Sequence, residues 1–398
     1  MGKAAIAGVG ATRFYRRGES VPRTVLDMAC EAIRAAVDDA GLTVAEIDGF
    51  ALYAHSDELD PGRIAQTLGI KELTFSATLT GGGGGSAGAV GLAATAVTSG
   101  QARVVVTVMS VQQAQHRLGA AFAVDTTSGG AYGPGGGDPD KDFVAHAGLM
   151  APGQMVALLA QRHMFEYGTT REHFAEVALS ARLHASTRPT ALRREPLTME
   201  DYFSARMISD PLCLYDFCME SDGAAAVVTV SAERARDLAQ PVVDILGAAH
   251  GGPGRWGKAF TWMQMPQEYF ASSGHRSIAA RLYRAAGVEP DDIDVAELYD
   301  HFTPGVIMQI EDYGFCKIGE GGSFVSDGSI RWPHGRLPVN THGGNHSDAY
   351  IIGMTHVIEA VEQMRGTAVN QVDGARLALA TGGPAPIPTS GLILAAAS

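Results

Sequence analysis

Cysteine is scarce: four residues in 398 (Cys30, Cys213, Cys218 and Cys316), with no CxxC pair among them. That pattern gives no support to a structural zinc site or a dithiol redox motif, and it fits reduced thiols in a cytoplasm. Long apolar runs are missing too, and none approaches the ~20 residues that a bilayer helix needs. Lys and Arg number 30 against 43 acidic residues, a net charge of −13, and they do not cluster. Nucleic acid is thereby disfavoured, because its phosphates call for clustered cations. The start, MGKAAIAGVGATRF, has no charged head or cleavage site and reads as a strand rather than a signal peptide. Ile6 stands where myristoylation requires Ser or Thr.

What is present is ordinary for a folded chain: 46% hydrophobic and 18% charged residues, over a length that suits two fused domains or one large α/β unit. Small-residue strands alternate with helices: AAIAGVG, TVLDMACEAIRAAVDDAG, IDGFALY, a glycine run opening a helix, then ARVVVTVMS. This alternation predicts an α/β fold with helices covering the sheet. Residues 115–150, rich in Gly, Asp, Pro and Ser, predict a loop over something, and 151–208 read as helical. DGAAAVVTV (222–230) returns to strand.

Self-comparison shows an internal repeat. AGLTVAEIDGFALY (40–53) aligns without a gap to AGVEPDDIDVAELY (286–299), at an offset of 246. A Gly-rich turn opening a helix follows in each half, residues 81–85 in one and THGGNHSDAYIIGM (341–354) in the other. Two related halves, each aiming a helix N-terminus at one site, account for this pattern.

Four motifs bear on chemistry. GVGATR (8–13) looks like the start of a dinucleotide fingerprint. Arg13 replaces its third glycine and no ribose-binding acid follows, so a tight turn is the better reading. The run TLTGGGGGSAGAV (78–90) offers free N–H groups at a helix start, either as an anion cradle or oxyanion hole or for close helix packing. No Lys-Ser/Thr pair follows it, which excludes a P-loop. His342 and His346 are i,i+4 in NTHGGNHSD, but the intervening Gly343 and Gly344 argue for a loop. Metal is disfavoured there, and solvated or supporting histidines are expected. Cys213 and Cys218, flanking LYDF, read as ordinary buried thiols.

The pieces GGGSAGAVGLAATAVTSGQARVVV, SDGAAAVV, IDVAELYDHFTPGVIMQIEDYGFC, VNTHGG and GLILA resemble the thiolase superfamily in order and spacing over nearly the whole chain, in the sterol carrier protein-thiolase branch. The resemblance implies two duplicated βαβαβαββ halves in five layers: an N-terminal half 1–235 with an inserted loop domain at about 115–210, and a C-terminal half 236–398. Four positions depart from it. The nucleophilic Cys of thiolases is Gly83, the residue opening the family's HDCF/NEAF motif is Tyr299, the His of GHP is Tyr350, and the second Cys is Ala380. Without a thiolate on this helix, an acyl-enzyme cannot form by the thiolase route.

LYDHFTP, NTHGG, RGTAVNQV and PTSGLIL, together with the paired tyrosines, resemble the steroid side-chain aldolases of lipid-transfer-protein type from actinobacterial sterol catabolism. That resemblance implies retro-aldol cleavage of a β-hydroxyacyl-CoA, no cofactor bound by this chain beyond the CoA thioester substrate, and no metal. It implies a homodimer through the edge strand beside the glycine-run helix. It also implies a heterotetramer with an OB-fold, zinc-ribbon protein of the steroid-CoA hydratase. The reaction needs a base, an enolate donor set and an acid. Tyr350, expected at a helix opening whose dipole favours phenolate, is the base, and Tyr299 is the acid. Backbone N–H groups at Gly83, Gly382 and Gly383 hold the thioester, with Asp300 and His301 at the substrate beside Tyr299. Two other readings use the same fold: a silent acyl-CoA or sterol carrier, and an acyltransferase using another thiol. Cys316 is the candidate thiol, poorly placed at the end of a helix.

Overall fold

The computed structural model describes residues 3–53, 59–79, 84–114, 148–149, 151–252, 269–383 and 388–397. Residues 81–83 of the glycine run, and with them Gly83, lie outside the described residues, as does nearly all of the 115–150 segment. The first half runs β1 (Ala4–Ala11), β2 (Tyr15–Arg16), α1 (Val25–Asp39), β3 (Gly49–Tyr53), α2 (Pro61–Leu68), β4 (Phe75–Leu79), α3 (Gly85–Thr98) and β5 (Val105–Val111). The described part of the insertion supplies α4 (Pro152–Tyr167), α5 (Arg171–Thr187), α6 (Met199–Ser204), β6 (Met207–Ser209) and β7 (Leu212–Cys213). β8 (Ser221–Ser231), α7 (Ala232–Ala235) and β9 (Val243–Gly251) follow. The chain then forms α8 (Arg276–Ala286), β10 (Val295–Glu297), α9 (Thr303–Asp312), α10 (Gly321–Ser326), α11 (Gly344–Ser347), α12 (Met354–Arg365), β11 (Leu377–Gly382) and β12 (Thr389–Ala396).

The main sheet has the order β10-β11-β12-β9-β1-β8-β5-β3-β4, with β2 added against β8. Its seam is the antiparallel pair β1–β9, which registers Ala4 with Ile245. Outward from that seam the two strand orders mirror each other. Val339, bridged in parallel to Ala296 of β10, stands where β4 stands in the first half.

The repeat has a physical basis. Gly41 and Gly287 take left-handed φ values of 69° and 74° just past α1 and α8, where a side chain would be strained. The aspartates that follow do the same work in each half. Asp48 Oδ1 accepts the N–H groups of Arg103 and Val104 at 2.9 and 2.8 Å. Asp294 Oδ2 accepts those of Arg376 and Leu377 at 2.7 and 2.9 Å. Each carboxylate thereby seats the strand that pairs beside its own, β5 next to β3 and β11 next to β10.

α3 and α12 touch each other and strands of both halves, while α1 covers β1, β5 and β8 and α8 covers β9 and β12. The two halves of the one sheet, joined at the β1–β9 seam, lie on either side of the paired helices, giving helix, half-sheet, paired helices, half-sheet, helix: five layers. Contact with strands of both halves buries most of α3 and explains its small, apolar composition, while Gly91, Leu92, Thr95 and Thr98 form a more open stripe along it. The glycines at its start answer to packing as well. A Cβ on Gly84 would overlap the Pro388 carbonyl, and one on Gly85 would overlap the Tyr53 ring. At these two positions close approach, not a ligand cradle, requires glycine. Gly8 and Gly10 of GVGATR likewise let the backbone of α1 lie directly on β1, since a Cβ at either would strike it near Ala36. The insertion's α5 packs on α9, α10 and α11, over the second-half segments that carry the tyrosines.

Candidate active site

Tyr299 follows β10, and its backbone is clamped from both sides. Its N–H donates to Thr381 Oγ1 (2.8 Å), and its carbonyl accepts from Gln309 Nε2 (2.8 Å). Thr381 in turn donates to Gln309 Oε1 at 2.7 Å, so the two clamps hold each other. One residue earlier, Asn340 brackets Leu298 with reciprocal hydrogen bonds of 2.7 and 2.8 Å, and takes a positive φ of 53° to do so.

Tyr350 arrives on a separate segment. Its N–H donates to Ser221 Oγ (2.8 Å), and that hydroxyl donates to the Tyr350 carbonyl at 3.2 Å. Ile352 follows at φ 51°, a strained value for a β-branched residue, and then Gly353 at 80°. A Cβ on Gly353 would press on the Tyr299 ring and on Ser86 Oγ, so the starts of α3 and α12 meet at Tyr299. The hydroxyls of Tyr299 and Tyr350 lie 3.2 Å apart. Tyr299 is 1% exposed, whereas Tyr350 is only partly buried. Burial, with the neighbouring Tyr350 and its hydrogen bond, pushes the Tyr299 phenol well above its usual value. It stays a neutral donor at any ordinary pH.

The helix-dipole expectation for Tyr350 needs correction. α12 begins at Met354 with Gly353 as its cap, a full turn of chain beyond Tyr350. The dipole's influence falls off within the first turn.

Asp300 is 1% exposed and saturated by protein partners: Oδ1 accepts from Asn345 N–H and from His356 Nε2, both at 2.9 Å. Burial raises its carboxyl, but the His356 hydrogen bond and the Asn345 N–H help to bring it down to about 2. It is an ionised strut for the 344–347 turn. His301 lies closer to the tyrosines, its ring centroid 5.3 Å from that of Tyr299, and burial lowers it to about 3.

The histidines of NTHGGNHSD are not solvated: His342 and His346 are 1% and 4% exposed. His342 Nδ1 stands 2.8 Å from Glu297 Oε2, and burial drives the imidazole down and the carboxyl up, leaving both neutral. Gly382 ends β11, and Gly383 (φ 101°) lies back to back with Gly84. The Gly383 carbonyl accepts from His275 Nε2 at 3.0 Å. Ala380, fully buried in β11, is apolar where thiolases keep a second Cys.

The sequence reading missed Ser86, Thr381, Gln309, Asn345 and His356, whose roles come from packing and have no motif of their own. It read Cys218 as an ordinary buried thiol, with no link to the site. The Cys218 N–H donates to the His301 carbonyl at 2.9 Å, and burial pushes its thiol far up. Burial likewise raises Cys30 and Cys213, and takes Cys316 to about 12.

Five layers in two mirrored halves, with paired central helices converging on a polar site, define a thiolase-fold protein. A family model described as thiolase C-terminal domain-like matches residues 257–394. The chain is 42% identical over 415 residues to a steroid side-chain-cleaving aldolase of Thermomonospora curvata, covering 99% of this chain and 98% of that one. It is 38% identical to the 17-hydroxy-3-oxo-4-pregnene-20-carboxyl-CoA lyase of Mycobacterium tuberculosis, with 99% of each covered. The solved "Ltp2-ChsH2(DUF35) aldolase" superposes with a TM-score of 0.87 at 40% identity, over 99% of this chain and 98% of that chain. Human mitochondrial 3-ketoacyl-CoA thiolase superposes at 0.70 with 13% identity, over 100% of this chain and 99% of that chain, a likeness of fold alone. The chain belongs to the thiolase superfamily, in the sterol carrier protein-thiolase branch beside the steroid side-chain aldolases.

Proposed function

We propose that this chain is a carbon-carbon lyase that cleaves the side chain of a steroid β-hydroxyacyl-CoA by a retro-aldol step. The products are a steroid ketone or aldehyde and a short acyl-CoA, propionyl- or acetyl-CoA. The observation that carries the reading is the Tyr299–Tyr350 hydroxyl pair at 3.2 Å, in a fold whose nucleophile position is a glycine. Tyr350, the more open of the two, takes the proton of the β-hydroxyl. The C–O bond becomes a carbonyl, the Cα–Cβ bond breaks, and its electron pair becomes the thioester enolate. Tyr299 protonates that carbon, and the proton held by Tyr350 returns to Tyr299 along their hydrogen bond. Protons balance without an outside donor. Backbone N–H groups at Gly83, Gly382 and Gly383 are the proposed donors to the thioester oxygen, Asp300 positions the turn, and His301 meets the substrate. No cofactor beyond the CoA thioester enters the scheme, and the two halves divide at 235/236.

A purified steroid β-hydroxyacyl-CoA decides between this reading and a silent carrier: conversion to ketone and short acyl-CoA is expected, and binding without conversion would favour the carrier. An acyltransferase using another thiol is addressed by alkylation. All four thiols are raised, so iodoacetamide at pH 7 is expected to leave turnover unchanged. Loss of activity in step with alkylation would bring the thiol reading back.

β4 ends the sheet, with its outer edge unpaired among the described residues and its side chains only half buried. Such an edge calls for a cover, and the proposed cover is the same strand of a second copy. Light scattering of the isolated chain is expected to give a homodimer, and a monomer at micromolar concentration would refute this. A DUF35-type protein, the OB-fold and zinc-ribbon module of the steroid-CoA hydratase, is the proposed partner in a cytoplasmic heterotetramer.

A further inference from the structure

Buried polar atoms are almost always hydrogen-bonded, and leaving one unpaired is costly. Asn345 is fully buried, yet among the described residues neither Oδ1 nor Nδ2 of its amide has a partner. The same holds for both ring nitrogens of His346 and for Nδ1 of His301. These five atoms belong to one neighbourhood. The Asn345 backbone is tied to Asp300 by the 2.9 Å bond already described, and its carbonyl accepts from Met219 N–H at 2.9 Å. The preceding N–H, of Cys218, goes to His301. Residues 218 and 219 thus staple His301 and Asn345 together, and the His301 ring is beside that of Tyr299. Arg182 Nε donates to Ser347 Oγ at 3.0 Å, so the insertion is tied to the same turn.

The chemistry of these groups is selective. Burial keeps both imidazoles neutral, so His301 and His346 each present one donor and one acceptor, and the Asn345 amide presents both kinds as well. Such a wall suits neither a phosphate nor a hydrocarbon. It complements a neutral group that is itself donor and acceptor, and a secondary amide is the simplest of these.

We infer that Asn345 and His346, with His301, form a subsite for the amide of the pantetheine arm next to the thioester sulfur. This deepens the aldolase reading and rests on it. The first amide nitrogen of that arm is two carbons from the sulfur, so a thioester held at the tyrosine pair carries its amide only a few ångströms further, toward His301 and the turn at 345–346. The subsite positions the reacting bond through its handle and discriminates CoA-type thioesters from simple ones.

The test uses the full-length protein in its active assembly and two truncated substrates of the same steroid acid, an S-(N-acetylcysteamine) thioester and an S-butyl thioester. The first keeps the amide and the second lacks it. The parent is expected to prefer the amide-bearing thioester by about tenfold or more in kcat/KM, the worth of one well-made buried hydrogen bond. Asn345→Ala and His346→Ala are expected to lower turnover of that thioester and leave the S-butyl ester nearly unchanged, collapsing the ratio. His346→Gln, which keeps a donor and an acceptor, is expected to restore part of it. Equal losses on both esters, or an unaltered ratio, would show a structural or water-holding role and overturn the inference. Absence of preference in the parent overturns it even if the variants fail to fold. Failure of the parent to cleave the full CoA thioester would instead strike at the aldolase reading itself.

Discussion

Tyr350→Phe is expected to lower turnover of a steroid β-hydroxyacyl-CoA by about 10²–10⁴, the usual range for loss of a general acid or base, with substrate binding nearly unchanged. The phenyl ring keeps the apolar contacts, and the main chain stays held by Ser221 through bonds that do not involve the side chain. Tyr299→Phe is expected to lose a similar factor for the opposite reason, the lack of a proton for the enolate. The pH dependence separates the two roles. Activity needs Tyr350 deprotonated and so rises with pH, and that limb should vanish in Tyr350→Phe. Tyr299 must stay protonated, and because burial raises its phenol well above the usual value, no falling limb is expected in the ordinary alkaline range. Near-normal turnover in both variants would end the aldolase reading and leave the carrier in its place.

Arg188→Leu is expected to cost about 3–5 kcal/mol of stability, the range for stripping one partner from a buried ion network. Arg188 Nη1 is 2.7 Å from Glu359 Oε2 and 3.4 Å from Glu362 Oε2, and its Nε is 3.4 Å from Asp348 Oδ1. One cation therefore serves three carboxylates, of which Asp348 is two residues before Tyr350. Burial pushes Asp348 up to about 7 even with Arg188 beside it. Burial and the Glu359 charge do the same to Glu362. Glu359, which burial would raise, is instead held low by the Arg188 charge. A carboxyl whose folded value lies above its unfolded one binds more protons folded, so its contribution to stability is present below about pH 4 and is lost as pH rises through 7. Without Arg188 these groups move further up. The deficit of the variant should thus be smaller at pH 5 than at pH 8, measured by denaturant unfolding at each pH. A deficit independent of pH would mean that only the packing of the arginine stem was lost.

Much of the architecture was legible before any coordinates. The 246-residue offset marks real equivalence, because Asp48 and Asp294 perform the same strand-seating task and Gly41 and Gly287 the same helix ending. Such features are local: each follows from a few adjacent residues whose types admit one conformation. The tyrosines at 299 and 350 were also visible, as departures from a family pattern.

Which groups touch was another matter. Tyr350 is held by Ser221 from 129 positions away, and the Gly84 carbonyl accepts from Ser390 Oγ across 306. No periodicity reports such pairings. The glycines beside Ser86 looked like a ligand's landing place until the Tyr53 ring and the Pro388 carbonyl were seen filling that space at Gly84 and Gly85. Asn345 and His346 read as a polar loop until burial removed the water that would have satisfied them. The sequence by itself determined the duplicated layers and put two tyrosines where thiolases keep other chemistry. Only the tertiary structure decided that their hydroxyls meet, that one stays protonated and that a neutral polar wall stands beside them. Proton affinity and hydrogen-bond satisfaction depend on the groups folded around an atom, and those groups come from segments distant in the chain.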